Sequence, residues 1–132
     1  MLGTLYVPKS FLDEQSPGKR QYWVFKSDHF DKILLFKLGK FYELFNMDAV
    51  IGVEKCGLKW TNKDPNDVAH SGFPEMALAR YSETIIGLGY QCVRIEQTET
   101  KQANEERVKR DKPGKFEKVL RREVCDITSG NN

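Results

Sequence analysis

Apolar positions along this chain change period several times, and each change marks an element. Ile33-Leu34-Leu35-Phe36 is an unbroken apolar run that reads as a strand, and Phe41-Tyr42-Glu43-Leu44-Phe45 reads as another. Leu78, Tyr81, Ile85 and Leu88 recur at +3, +4 and +3, which predicts a helix begun by Pro74 and ended by Gly87 or Gly89. Ser16-Pro17 pairs a capping residue with proline at the first helical position, opening a helix that carries Tyr22, Trp23 and Phe25 to about Ser27. Asn46 is the expected cap of a short helix through Met47, Val50 and Ile51 that stops at Gly57. Leu58 to Thr61 reads as a brief strand, and residues 62–73 as a polar loop holding Asn62, Asp64-Pro65-Asn66 and Gly72. Tyr90 to Glu96 is a predicted strand. Residues 100–110 form a polar helix supported by Glu105–Lys109 and Glu106–Arg110 spacing, and Val119 to Ile127 gives a last strand. Strands and helices mix without regular alternation, so the expected class is α+β, a mixed β-sheet flanked by helices.

Length and composition narrow the setting. At 132 residues the chain is one domain's worth, and 39% apolar with 11% aromatic residues is enough to bury a core. No run approaches the roughly 20 apolar residues of a membrane helix, so no membrane partner is expected. Met1 to Ser10 carries no charged leader followed by an apolar stretch, which argues against secretion. Three cysteines (Cys56, Cys92, Cys125) with no C-x-x-C pair, and only His29 and His70 beside them, give poor material for a metal site or a disulfide framework. A reducing compartment is the expectation. Net charge is only +2, but residues 101–122 hold nine Lys or Arg against four Asp or Glu, which is +5 there and −3 over the rest. Such a stripe either touches phosphate or solvates an exposed helix.

The most informative segment is K-L-G-K-F-Y-E, residues 37–43. Two apolar strands are separated by Gly39-Lys40, and glycine first in a two-residue loop favours a type II′ hairpin turn. That register sets Leu38 opposite Phe41, Phe36 opposite Glu43 and Leu34 opposite Phe45. Phe41, Glu43 and Phe45 then share a face, with Phe41 and Glu43 about 6.5–7 Å apart. An aromatic at a hairpin tip, followed on its face by a carboxylate, has two readings. Phe41 folds back under the sheet with Glu43 at a solvated edge, or Phe41 is an apolar wedge of the kind that enters the DNA minor groove and unstacks a base step.

G-K-F-Y-E-L-F-N-M-D-A (39–49) resembles the mismatch-recognition motif of the MutS DNA-repair family, whose core is Phe-x-Glu. The resemblance continues through T-L-Y-V-P (4–8), S-P-G-K-R-Q-Y-W (16–23), A-H-S-G-F-P-E (69–75), G-Y-Q-C-V-R-I-E-Q-T-E-T (89–100) and R-R-E-V-C-D-I-T-S-G (121–130). It covers nearly the whole chain and is strongest toward the eukaryotic MutS homologue six branch. The resemblance implies an N-terminal mismatch-binding domain, with its core over 1–118 and with 119–132 as the last strand and the start of the linker to a connector domain. Phe41 would stack on a mispaired or unpaired base and Glu43 would hydrogen-bond to it. Leu38, Lys40 and Tyr42 around the turn, and the His70-Ser71-Gly72 loop, match positions close to DNA in the family. The implied partners are mismatched double-stranded DNA and a MutS homologue two subunit, in the nucleus. The family's ATPase, with its ATP and magnesium, belongs to other domains, so neither catalysis nor a cofactor is expected of this one.

Other constellations are weaker. Glu99-x-Lys101 matches half of a metal-nuclease pattern, but no Asp stands on a suitable preceding strand. Cys92 and Cys125 are expected in the core, and Trp23 and Trp60 as packing residues. His29 and His70 join no visible triad, and no phosphate-cradling glycine loop is present. The alternative function is a protein-interaction domain that keeps the fold without direct mismatch contact.

Overall fold

A computed structural model describes residues 5–61 and 69–129. In chain order it contains α1 (Lys9–Glu14), α2 (Pro17–Asp28), β1 (Ile33–Leu38), β2 (Phe41–Phe45), α3 (Asn46–Cys56), β3 (His70–Pro74), α4 (Leu78–Gly87), β4 (Cys92–Gln97), α5 (Lys101–Asp111) and β5 (Arg122–Thr128). Short 3₁₀ turns occupy Glu75–Ala77 and Lys115–Lys118. The strands form one sheet in the order β3-β2-β1-β4-β5. Its β1–β2 and β2–β3 pairs are antiparallel and β1–β4 is parallel, the mixed sheet of an α+β fold. The chain divides into two compact units, Lys32–Ile95 with Cys125–Asn132, and Met1–Asp31 with Glu96–Val124.

In the first unit, strand alternation sorts the side chains. Ile33, Leu35, Tyr42, Leu44 and Phe73 join Ala49 of α3, Leu58, Ile85 of α4 and Cys92 in one buried cluster. β1 has no polar face: Ile33 to Phe36 are all buried, as in strands covered on both sides. The β1–β2 ladder runs from Leu38↔Phe41 to Phe36↔Glu43, and the Leu34 N–H donates to the buried Asp48 carboxylate at 3.0 Å. A buried backbone donor needs such a partner. Cys92 lies in this core beside Asp48 and Cys56, and burial first of all pushes its thiol up to about 12. It is therefore no nucleophile at neutral pH.

The second unit is organised by one carboxylate. Glu99 accepts from Arg107 Nε at 2.7 Å and Nη2 at 3.1 Å, from Asn104 Nδ2 at 3.1 Å and from the Arg121 N–H at 3.2 Å. Arg107 also donates to the carbonyls of Glu117 (2.8 Å) and Val119 (3.2 Å), tying α5 to the segment after it. Thr100 caps α5 by accepting from the Ala103 N–H at 3.0 Å. On α2, Ser16 caps as expected, and Gln21 receives Arg122 Nη1 at 2.7 Å while donating to the Leu120 carbonyl at 3.0 Å. Two of the nine cations in the basic stripe, Arg107 and Arg122, are thus buried structural groups. Glu99, read at first as half of a nuclease pattern, is committed to the same network.

Several expectations shift. α1 carries no sequence signal that predicted it, since its N-cap is Pro8 without a side-chain cap. Asn46 does not cap α3: the N-cap falls on Phe45, and Asn46 itself adopts φ +55° while its N–H donates to the Ala69 carbonyl at 2.9 Å. Asparagine tolerates that left-handed conformation. Pro74 ends β3 rather than opening a helix, and the 3₁₀ turn at Glu75–Ala77 precedes α4. The expected loop at 62–73 is a strand from His70 onward, while 62–68 lie outside the described residues. The brief strand expected at 58–61 reduces to a single bridge, Trp60↔Ser71. The last strand begins at Arg122, after a 3₁₀ turn, instead of Val119. Trp60 and Cys125 are exposed, not core. Each stands at a sheet position where strand character alone does not guarantee cover.

The Glu99 network makes stability depend on acid. Arg107, chiefly through its hydrogen bonds, holds the Glu99 carboxyl at about 2 against an ordinary 4.5. A depressed acid contributes stability above its unfolded value and loses it as pH falls through the folded one. The melting-temperature gap between wild type and Glu99→Gln is therefore expected to be full at pH 7 and to close between about pH 4.5 and 2. Thermal unfolding across that range, followed by circular dichroism, checks it.

Candidate nucleic-acid interface

The turn that places the site has a simple local cause. Gly39 adopts φ +62° and Lys40 is not in the left-handed region, as a type II′ turn requires. The resulting register is the expected one at Leu38↔Phe41 and Phe36↔Glu43. β3 continues it across the sheet with Phe41↔Pro74, Glu43↔Gly72 and Phe45↔His70.

These pairings lay out three rows on one face. The outer row, Leu38–Phe41–Pro74, is exposed, and Phe41 at its centre keeps 47% of its surface open. Lys40 is exposed beside it at the turn, its carbonyl accepting from the Glu75 N–H at 2.8 Å. The middle row is Phe36–Glu43–Gly72, in which Glu43 is only 7% exposed. Behind it, Phe45 and His70 stack with ring centroids 4.8 Å apart and planes 12° from parallel, and Phe45 meets Phe36 edge-on at 6.1 Å. Of the two readings of the hairpin, Phe41 does not fold under the sheet and Glu43 does not sit at a solvated edge.

Gly72 is needed in the middle row. A Cβ there would lie 2.8 Å from the Tyr42 carbonyl oxygen and 2.9 Å from Glu43 Oε1. The bare backbone lets the Glu43 carboxylate lie across β3, where its Oε1 accepts from Nε2 of His70. His70 and Glu43 are diagonal neighbours, two residues out of register on the same face. Among the described residues His70 is the hydrogen-bond partner of this carboxylate.

The sheet does not bring all the sequence-selected residues together. Tyr42 and Ser71 belong to the opposite face and are buried. Tyr42 packs on Phe73 at 5.6 Å between centroids and lies under Lys37 Nζ, which also pairs with Glu75 at 2.9 Å. The Ser71 hydroxyl donates to the Ala49 carbonyl at 3.2 Å. Their side chains hold the frame and offer no surface to a ligand. Pro74 and Phe45, by contrast, were not selected and stand in the rows. The signal for Pro74 was available: in H-S-G-F-P, Ser71 and Phe73 alternate inward, which leaves His70, Gly72 and Pro74 on the other face.

The comparisons with known proteins agree with one another. A family model described as MutS domain I matches residues 16–132. The chain is 48% identical over 126 residues to "Probable DNA mismatch repair protein Msh6" of Drosophila melanogaster, covering 96% of this chain and 10% of that protein. It is 46% identical over 125 residues to "DNA mismatch repair protein Msh6" of Homo sapiens, covering 94% and 9%. A bacterial relative, "DNA mismatch repair protein MutS" of Lactococcus lactis, is 39% identical over 87 residues, covering 64% and 10%. The chain thus spans about a tenth of the length of the curated relatives it matches.

The site's two glycine-dependent and aromatic positions separate stability from exposure. Gly72→Ala must displace the Tyr42 backbone and is expected to destabilise the fold by about 1–3 kcal/mol. Phe41→Ala at the open tip should change it by no more than about 0.5 kcal/mol. Urea unfolding of both variants measures the contrast.

Proposed function

Because this chain belongs to the MutS family as a domain I, we propose that it is the mismatch-recognition module of a DNA mismatch repair protein. The observation that carries the reading is Phe41: a half-exposed aromatic on a hairpin tip whose two strands are both held in ladders. A backbone so held has little conformational freedom left to lose on binding, which suits a wedge. Phe41 enters from the minor groove and stacks on a mispaired or unpaired base, a contact worth about 1–3 kcal/mol. Mispaired bases cost less to unstack than paired ones, so the wedge reads deformability and is indifferent to surrounding sequence.

The neighbouring residues take separate roles. Glu43 hydrogen-bonds to the displaced base, Lys40 meets the backbone phosphate or sugar, and Leu38 flanks the wedge. His70 and Gly72 act on Glu43, while Tyr42 and Ser71 act by holding the strands. With a net charge of +2 the domain brings little of the electrostatic term that dominates affinity for duplex DNA. The rest of the longer protein and a MutS homologue two partner supply that grip, in the nucleus, with ATP and magnesium bound in domains other than this one.

In the full-length protein with its partner, Phe41→Ala is expected to abolish the preference for a G·T duplex over a matched one. Lys40→Ala should weaken both duplexes about equally, since backbone contacts carry no sequence information. Fluorescence anisotropy titrations of the two duplexes decide. A Phe41→Ala complex that still discriminates would remove the wedge and favour a protein-interaction role.

A further inference from the structure

Phe41 and Glu43 sit one row apart on the same face, yet one is open and the other closed. At 7% exposure the Glu43 carboxylate offers almost nothing to an incoming ligand. It is turned along β3, over the bare Gly72 backbone, toward a histidine whose ring is already fixed by its stack on Phe45. An ionised carboxylate only accepts, so Nε2 of His70 carries the proton in this bond. We propose that Gly72 and His70 form a seat that keeps the Glu43 carboxylate withdrawn, and that a mispaired base must draw it off His70 before Glu43 can touch DNA. The inference rests on the reading of Phe41 and Glu43 as mismatch contacts and deepens it, making His70 a positioning residue that sets specificity.

The seat has a physical consequence on each kind of duplex. On matched DNA no displaced base competes for the carboxylate, so the charge stays against His70 and away from the phosphates that would repel it. On a mismatch the base must outcompete a charge-assisted hydrogen bond, so part of the contact energy goes to release. Apparent affinity is lowered by the fraction of molecules already released, and removing the seat removes that reduction.

Two substitutions separate positioning from packing. His70→Phe keeps an aromatic ring for the Phe45 stack and loses the donor; His70→Gln keeps a donor and loses the ring. In the full-length protein with its partner, His70→Phe is expected to tighten G·T duplex binding about tenfold, the scale of one charge-assisted hydrogen bond. It should not tighten matched duplex, and His70→Gln should stay close to wild type on both. On a Glu43→Ala background His70→Phe should have no effect, because nothing remains to be released. His70→Met, which also lacks a donor, replaces His70→Phe if that variant does not fold. Were packing the whole role of His70, the order would reverse, with His70→Gln damaging, His70→Phe silent and both indifferent to Glu43; that result overturns the seat. A wild type and Phe41→Ala that differ in discrimination, with His70→Phe unchanged, would overturn the seat alone. Wild type without any mismatch preference would overturn the underlying reading and the seat together.

Discussion

The register of the β1–β2 hairpin is the constraint on which the site depends. A two-residue turn with glycine in the left-handed region joins the strands, and the pairing that follows leaves no freedom about which side chain faces which way. A slip of one residue would send Phe41 and Glu43 into the core and bring Tyr42 and Leu44 out. The buried cluster around Tyr42, Leu44 and Phe73 opposes any such slip, because Tyr42 and Leu44 would be lost from it together. Stability on one face of the sheet thereby enforces geometry on the other. β3 inherits the register and adds Pro74, Gly72 and His70 to the three rows.

Much of this was legible in the sequence, and what was not has identifiable causes. The hairpin, its turn and its register followed from two apolar runs around Gly39-Lys40, and α2 from Ser16-Pro17, all local signals that tertiary structure had no reason to override. β3 was hidden because H-S-G-F-P is short and polar on its outer face, and edge strands need only one apolar face to dock. Asn46 shows the limit of capping rules: the same residue type that favours an N-cap also tolerates the left-handed region, and the turn out of β2 takes the second option. The burial of Glu43 depends on His70, 27 residues further along, and on the missing side chain at Gly72. No local pattern carries information of that kind.

The charge pattern illustrates the same point from the other side. The basic stripe at 101–122 invited two readings, a phosphate contact or a solvated helix face. Part of it is structural instead, since Arg107 and Arg122 are consumed by Glu99, Gln21 and backbone carbonyls within their own unit. Glu99 shows how a short motif read for chemistry can belong to folding: four donors fill its carboxylate, leaving no room for a metal. Lys40 is the cation that stands exposed at the hairpin turn.

In the proposed function Phe41 meets the mispaired base itself. Replacing Phe41 by benzoylphenylalanine in the full-length protein with its partner, and irradiating it on duplexes with one G·T pair at a known position, tests that contact directly. A protein–DNA crosslink mapped to the mispair or its immediate neighbour is expected, with little or none on matched duplex. Crosslinks to the partner protein, or to DNA at positions unrelated to the mispair, would contradict it.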